Sequence, residues 1–202
     1  MTIHTANGLF DLNIKSAKDS LALYDAIAKL DPKGVDIDWV LRSAVVFTVS
    51  ALDTYFHDKV KYKVGKYDLT NLPPALAKFQ ISVQDLISWD QATRKGNVLR
   101  NWVVEDLSTR PLQSPYIIAE TLKLANINSL WDTIEPDKKQ KEKLLVDLNA
   151  LVQRRNQISH EGDRMTSRRS GKGLRRIERT QVETWIQLVG EIVRRIETAW
   201  PN

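Results

Sequence analysis

Apolar residues in this chain recur at intervals of three and four almost from end to end. Trp185, Leu188, Val189, Ile192, Val193 and Ile196 form the clearest run, and Leu144, Leu145, Leu148, Leu151 and Val152 repeat it upstream. Such spacing winds one apolar stripe along a helix of about 3.6 residues per turn. No segment sustains the period-2 alternation with flanking turn signals that strand hairpins need. The expected fold class is therefore all-α: a helical bundle of about five to seven helices, with an up-and-down core and a long final helix. The 202 residues include no cysteine, which excludes thiol catalysis, disulfide scaffolding and thiolate zinc sites. A chain of this length hides roughly 70% of its unfolded surface and needs no such staple. Histidine occurs only at positions 4, 57 and 160, so no His-rich metal site and no cofactor is expected. Catalysis would rest on His, Arg, Asn and carboxylates.

Proline, glycine and capping residues predict where the helices begin and end. A first helix runs from about Leu12 to Leu30 and is stopped by Asp31-Pro32-Lys33-Gly34; a second starts on Asp36 or Asp38 as N-cap and reaches about Val64. After a connection from Tyr67 to Pro74, Ser82-x-x-Asp85 opens a third helix to about Leu107, weakened at Lys95-Gly96-Asn97 and so one helix or two. Pro115 and Pro136 each fit the first position of a helix, the second of these ending at Gly162. Thr180-x-x-Glu183 reads as the capping box of the last helix. These elements are expected to form one domain over residues 1–202, with residues 1–34 as its N-terminal helix. The most apolar stretch, Ala44 to Leu52, is interrupted by Thr48 and Ser50 and falls far short of the ~20 residues that span a bilayer. The opening MTIHTANGLFDLN lacks the charged start and apolar core of a signal peptide. A cytoplasmic location without a membrane partner is the expectation.

The formal charge of +5 is concentrated in one place. Between residues 154 and 179, Arg154, Arg155, Arg164, Arg168, Arg169, Lys172, Arg175, Arg176 and Arg179 stand against Glu161, Asp163 and Glu178 alone. A phosphate polyanion is the natural partner of such a segment. The competing reading is a solvated basic loop that binds nothing. Ser167, Ser170, Gly171 and Gly173 lie among these arginines, so residues 163–177 are expected to form a mobile loop.

Beside that segment lies Arg154-Arg155-Asn156-Gln157-Ile158-Ser159-His160-Glu161-Gly162-Asp163. The pattern Arg-x-x-x-x-His alone should arise by chance about 0.2 times in this composition, and roughly 0.01 times with Asn after the Arg. These residues resemble the signature of the HEPN superfamily of α-helical ribonucleases, and the wording is similar to its RiboL-PSP branch. The stretch from Leu41-Arg42-Ser43-Ala44 to Asp53-Thr54-Tyr55-Phe56-His57-Asp58 resembles the early helix of the same branch. The resemblance covers roughly residues 35–200.

The resemblance implies a HEPN-like bundle and metal-independent RNA cleavage, with Arg155, Asn156 and His160 as the catalytic residues. Scission by the 2′-hydroxyl needs a base, an acid for the leaving 5′-oxygen and positive charge on the phosphate. Histidine exchanges protons near neutrality, and an arginine fork can grip phosphate oxygens while staying charged. Asn156, four residues before His160, shares its helical face; Arg155 leaves the axis about 140° away. One imidazole cannot be acid and base at once. The family's usual solution is a dimer with two motifs face to face, so a two-fold homodimer with the penultimate helices near the axis is expected. The competing reading of the motif is a surface arginine and a helix-terminal histidine that stabilises the negative end of the helix dipole, worth ~0.3–1 kcal/mol.

Ser50, Asp53 and His57 form a polar stripe on the second helix. Asp53 and His57 line the RNA cleft or belong to a structural network, and His57 is the alternative second proton-transfer group within one chain. Arg154, Arg164, Arg168, Arg169, Lys172, Arg175, Arg176 and Arg179 are the expected RNA contacts. Of the six tryptophans, Trp39 and Trp185 are expected in the core, and none is assigned to RNA. Family resemblance further implies a toxin or antiviral defence effector restrained by an antitoxin or regulatory protein. A non-catalytic helical module that binds RNA or protein is the alternative function.

Overall fold

The computed structural model describes residues 6–67, 70–93, 95–165 and 173–201. Eight α-helices follow one another among them: α1 (Ala6–Lys29), α2 (Asp38–Val64), α3 (Val83–Asp90), α4 (Lys95–Ser108), α5 (Pro115–Leu122), α6 (Leu130–Ile134), α7 (Lys138–Glu161) and α8 (Arg179–Ala199). Single 3-10 turns cover Leu76–Lys78 and Lys123–Ala125. The described residues include no strand, only an isolated antiparallel bridge between Arg164 and Leu174. The all-α reading holds, with more helices than expected. The third predicted helix divides before Lys95, and Gly96 lies inside the first turn of α4 instead of at the break. The five-residue α6 is too short to produce a visible periodicity.

Helix ends follow the sequence signals in some places and not in others. Ser82 and Asp85 form the predicted reciprocal capping box of α3, and Ser114 caps α5 with Pro115 at its first position. Pro136 sits outside α7, because Asp137 takes the N-cap and accepts from the Gln140 N–H at 2.8 Å. The expected box at Thr180 does not form. Glu183 is drawn instead to the Arg179 guanidinium, and α8 starts two residues earlier than that box would place it. Neither aspartate is the N-cap of α2: Ile37 takes that position, while Asp36 Oδ1 accepts from the Asp38 N–H at 2.9 Å.

α2 is the axis of the molecule, packed against α1, α4, α5, α7 and α8. Its buried side chains, among them Leu41, Val45, Leu52, Phe56 and Val60, point to several sides of the helix. Phe10 of α1 meets Tyr55 edge-on at 5.8 Å between ring centroids, and Tyr55 meets Phe56 at 5.4 Å. Burying one such ring contributes ~1.5–3 kcal/mol. Beside α1 lies the amphipathic face of α8, with Val182, Trp185, Ile186, Val189, Ile192, Val193 and Ile196 buried. Trp185 thus takes its expected core position. Trp39 does not: it is 53% exposed in the first turn of α2.

Inside this core lies a charged group. Lys59, fully buried on α2, places Nζ 2.9 Å from Glu197 Oε1 and donates to the Trp200 carbonyl at 2.5 Å. The Tyr55 hydroxyl donates to the same Glu197 oxygen at 2.6 Å. Burial pushes the Lys59 ammonium below the usual lysine range and the Tyr55 phenol above its own. These bonds pin the end of α8 to α2.

Candidate active site

The Arg-Asn-x-x-x-His segment occupies the last two turns of α7. Asn156 and His160 are both exposed, one turn apart on the solvent face, where their spacing of four puts them. Arg155 leaves the helix toward the interior and is half-buried. Its long side chain bends back so that Nη1 donates to Asn156 Oδ1 at 3.1 Å. The Arg155 Nε is buried and has no hydrogen-bond partner among the described residues. The 140° rotation that separates Arg155 from His160 is thus partly undone by the reach of the side chain, with Asn156 as the link.

α7 stops at Gly162, whose φ of +60° is free of steric penalty only for glycine. Asp163 follows at φ +57°, and its N–H donates to the Gln157 carbonyl at 2.9 Å. This turn drives the Asp163 carboxylate inward, where it is almost fully buried between two arginines. Arg154 engages both carboxylate oxygens, Nη1 with Oδ1 and Nη2 with Oδ2, the latter at 2.9 Å. Arg42, from the second turn of α2, donates its Nε to Oδ2 at 2.5 Å. The same guanidinium groups reach the Arg175 carbonyl, at 3.1 Å from Arg42 and 3.2 Å from Arg154. Asp163 is therefore the knot that joins α2, the end of α7 and the chain entering α8.

Placement of Arg154 corrects one expectation. Read as an RNA contact, it is 8% exposed and spends its donors on Asp163 and on backbone carbonyls. A guanidinium pulled to the buried face by a carboxylate cannot also hold solvent phosphate. The ends of the expected mobile loop are fastened as well. Met165 N donates to the Gly173 carbonyl at 3.0 Å, and Arg175 N to the Asp163 carbonyl at 2.8 Å, which forms a short stem. Arg164 and Arg176 project from that stem into solvent. Arg175 is half-buried and paired with Glu161 at 2.9 Å; Arg179 grips Asp25 with two bonds of 3.1 and 3.0 Å and also pairs with Glu183. Arg168, Arg169 and Lys172 lie outside the described residues, as does His4.

Asp53 and His57 lie elsewhere. Asp53 Oδ1 accepts the Leu112 N–H at 2.6 Å and so anchors the connection between α4 and α5. The His57 Nε2 stands 3.8 Å from Asp53 Oδ2, beyond a hydrogen bond. His57 follows Arg42 by fifteen residues, ~22 Å along α2, whereas Arg42 is the residue that touches the end of α7. The structure thus does not bring His57 to His160, and a second proton-transfer group within one chain is not found there. Arg42 and Asp163 are what sequence reasoning missed, although both stand in the stretches that carry the family resemblance. Among the described residues no three His, Asp or Glu side chains gather as they would around a metal ion.

No curated protein and no solved structure matches the chain. The RiboL-PSP-HEPN family model does, over residues 12–199, so the similarity reaches further toward the N-terminus than the motifs alone indicate and takes in most of α1. With the all-α bundle and the Arg155, Asn156 and His160 motif inside the matched region, the chain belongs to the RiboL-PSP-HEPN family.

Proposed function

We propose that this protein is a metal-independent endoribonuclease. Membership of the HEPN group suggests a nuclease or RNA-related function, and the observation that best supports cleavage is local. His160 and Asn156 share the solvent face of α7, and Arg155 reaches that face through Asn156. In the proposed reaction the imidazole takes the proton of a ribose 2′-hydroxyl, and the 2′-oxygen attacks the adjacent phosphorus. The bond from phosphorus to the 5′-oxygen breaks, and that oxygen leaves with a proton from the imidazole of a second protomer. The products are a 2′,3′-cyclic phosphate and a 5′-hydroxyl. Arg155 steadies the phosphate throughout, and Asn156 orients it. The second protomer docks in a two-fold homodimer with the α7 ends near the axis. A single domain acting in the cytoplasm as a toxin or defence effector, restrained by an antitoxin or regulatory protein, fits this chemistry.

The test compares wild type with His160→Ala on single-stranded and structured RNA in EDTA. Cleavage to cyclic-phosphate ends should fall by a factor of about 100 or more in the variant. Equal cleavage by both proteins would remove the enzymatic reading and leave a helical binding module. Sedimentation equilibrium should give twice the 23.1 kDa of one chain.

A further inference from the structure

Trp39 is the exposed member of the six tryptophans; Trp185 is buried and the other four are half-buried. Its exposure does not come from a loose end. The Ser43 hydroxyl donates to the Trp39 carbonyl at 3.0 Å, and Asp36 ties the entry to α2 through the Asp38 N–H. One turn further on, Arg42 is locked into Asp163. Asp163 lies three residues past His160, so the contact joins the indole's end of α2 to the His160 end of α7. The chain carrying Arg176 is beside them too, because Arg42 Nη2 donates to the Arg175 carbonyl at 3.1 Å.

Two kinds of group therefore lie on the segments that the Arg42 contact joins. One is a large aromatic surface on a fixed backbone. The other is a pair of solvent-facing guanidinium groups, Arg164 and Arg176, the latter 87% exposed while its Nε pairs with Glu178 Oε1 at 3.4 Å. Asp36 and Asp38 flank the indole in sequence and repel a phosphate placed over the ring itself. A neutral nucleobase over the indole, with its phosphates displaced toward the arginines, satisfies both charges. Aromatic faces beside a cationic track are the means by which proteins hold single strands without reading their sequence.

We infer that Trp39 is a base-stacking platform for single-stranded RNA, with Arg164 and Arg176 holding the adjoining phosphates. This rests on the RNA reading given above and adds the part of the substrate it recognises, an unpaired base near the scissile bond. Stacking should favour unpaired over duplex RNA at this position, since a paired base cannot present its face.

The experiment uses the full-length His160→Ala protein, so that bound RNA stays intact, and a short fluorescein-labelled single-stranded oligoribonucleotide. Anisotropy titrations at several salt concentrations give affinity and its salt slope. Adding Trp39→Ala should weaken binding roughly 5- to 100-fold, with the slope unchanged, whereas Trp39→Phe should retain most of the affinity. Arg164→Ala with Arg176→Ala should instead flatten the slope, by about 0.7 for each phosphate no longer neutralised. An oligomer abasic throughout should bind the parent and Trp39→Ala proteins equally. If Trp39→Ala binds as tightly as its parent, stacking is wrong while the RNA reading stands. If the parent binds no RNA at all, the RNA reading falls and this inference with it. If Trp39→Ala dissociates a dimer in sedimentation runs and leaves affinity per protomer unaltered, the indole is a protein contact and the inference is overturned.

Discussion

With a φ of +57° and a carboxylate 2% exposed, Asp163 occupies a backbone region that costs most non-glycine residues energy. The two arginines compensate by giving the carboxylate nearly all its partners. Replacing Asp163 with alanine strands Arg42 and Arg154 as buried, uncompensated cations, a change that typically costs ~3–5 kcal/mol. A large drop in the urea midpoint is expected for Asp163→Ala, against a shift within ~0.5 kcal/mol for Arg176→Ala on the surface. Equal midpoints would show that the knot carries no stability. Residues of the motif are legible in the sequence because Arg155, Asn156 and His160 lie within six positions of one another. The Arg42 and Asp163 pair spans 121 residues, and no local pattern marks one arginine as buried and the next as half-buried. Arg154 reads as a surface cation for that reason.

Helix α8 shows how propensity and charge compete within an element. Glu183 is spaced for a capping box, yet a nearby guanidinium offers a charged partner where the backbone offers a neutral one. Further along, Arg194 and Arg195 hold the Glu191 carboxyl at about 2 instead of 4.5. A carboxyl depressed on folding contributes stability above its unfolded value and loses it as pH falls. Its contribution should thus fade between about pH 4.5 and about pH 2. Glu191→Gln should flatten the acid limb of stability against pH in that window and leave the curve above it parallel to wild type; chemical denaturation at stepped pH checks this. Because Arg194 is exposed and Glu191 and Arg195 are only half-buried, the effect shrinks in high salt. Helix extents are largely legible from periodicity and glycine. Caps are legible only where no stronger partner competes, as at Ser82 and Ser114.

At the scale of the molecule, α2 is fastened at both ends by charges taken out of water. Arg42 meets Asp163 near its start, and Lys59 meets Glu197 near its close. The second pair ties the C-terminal helix to the axis, so its disruption should propagate to the whole fold. Lys59→Ala leaves Glu197 without its ammonium and should cost ~3–5 kcal/mol. Lys59→Met combined with Glu197→Leu should cost less than that single change, since neither charge is then left behind. Urea unfolding of the single and double variants decides the point, and a double variant less stable than Lys59→Ala would refute it. All-α architecture is legible from spacing alone. The bolting of α2 is not, because Lys59 reads in sequence as an ordinary surface lysine.

Arg154 and Arg155 are adjacent, chemically identical and 100° apart around α7. That rotation assigns them separate fates. Arg154 is bound by acceptors on four residues of its own chain, Gln157, Asp163, Arg175 and Arg176, while Arg155 leans on its neighbour Asn156. Under the proposed function, drift at 154 should be purged through failed folding and drift at 155 through lost turnover, so a lineage that keeps the scaffold without cleavage would let the second letter wander and hold the first.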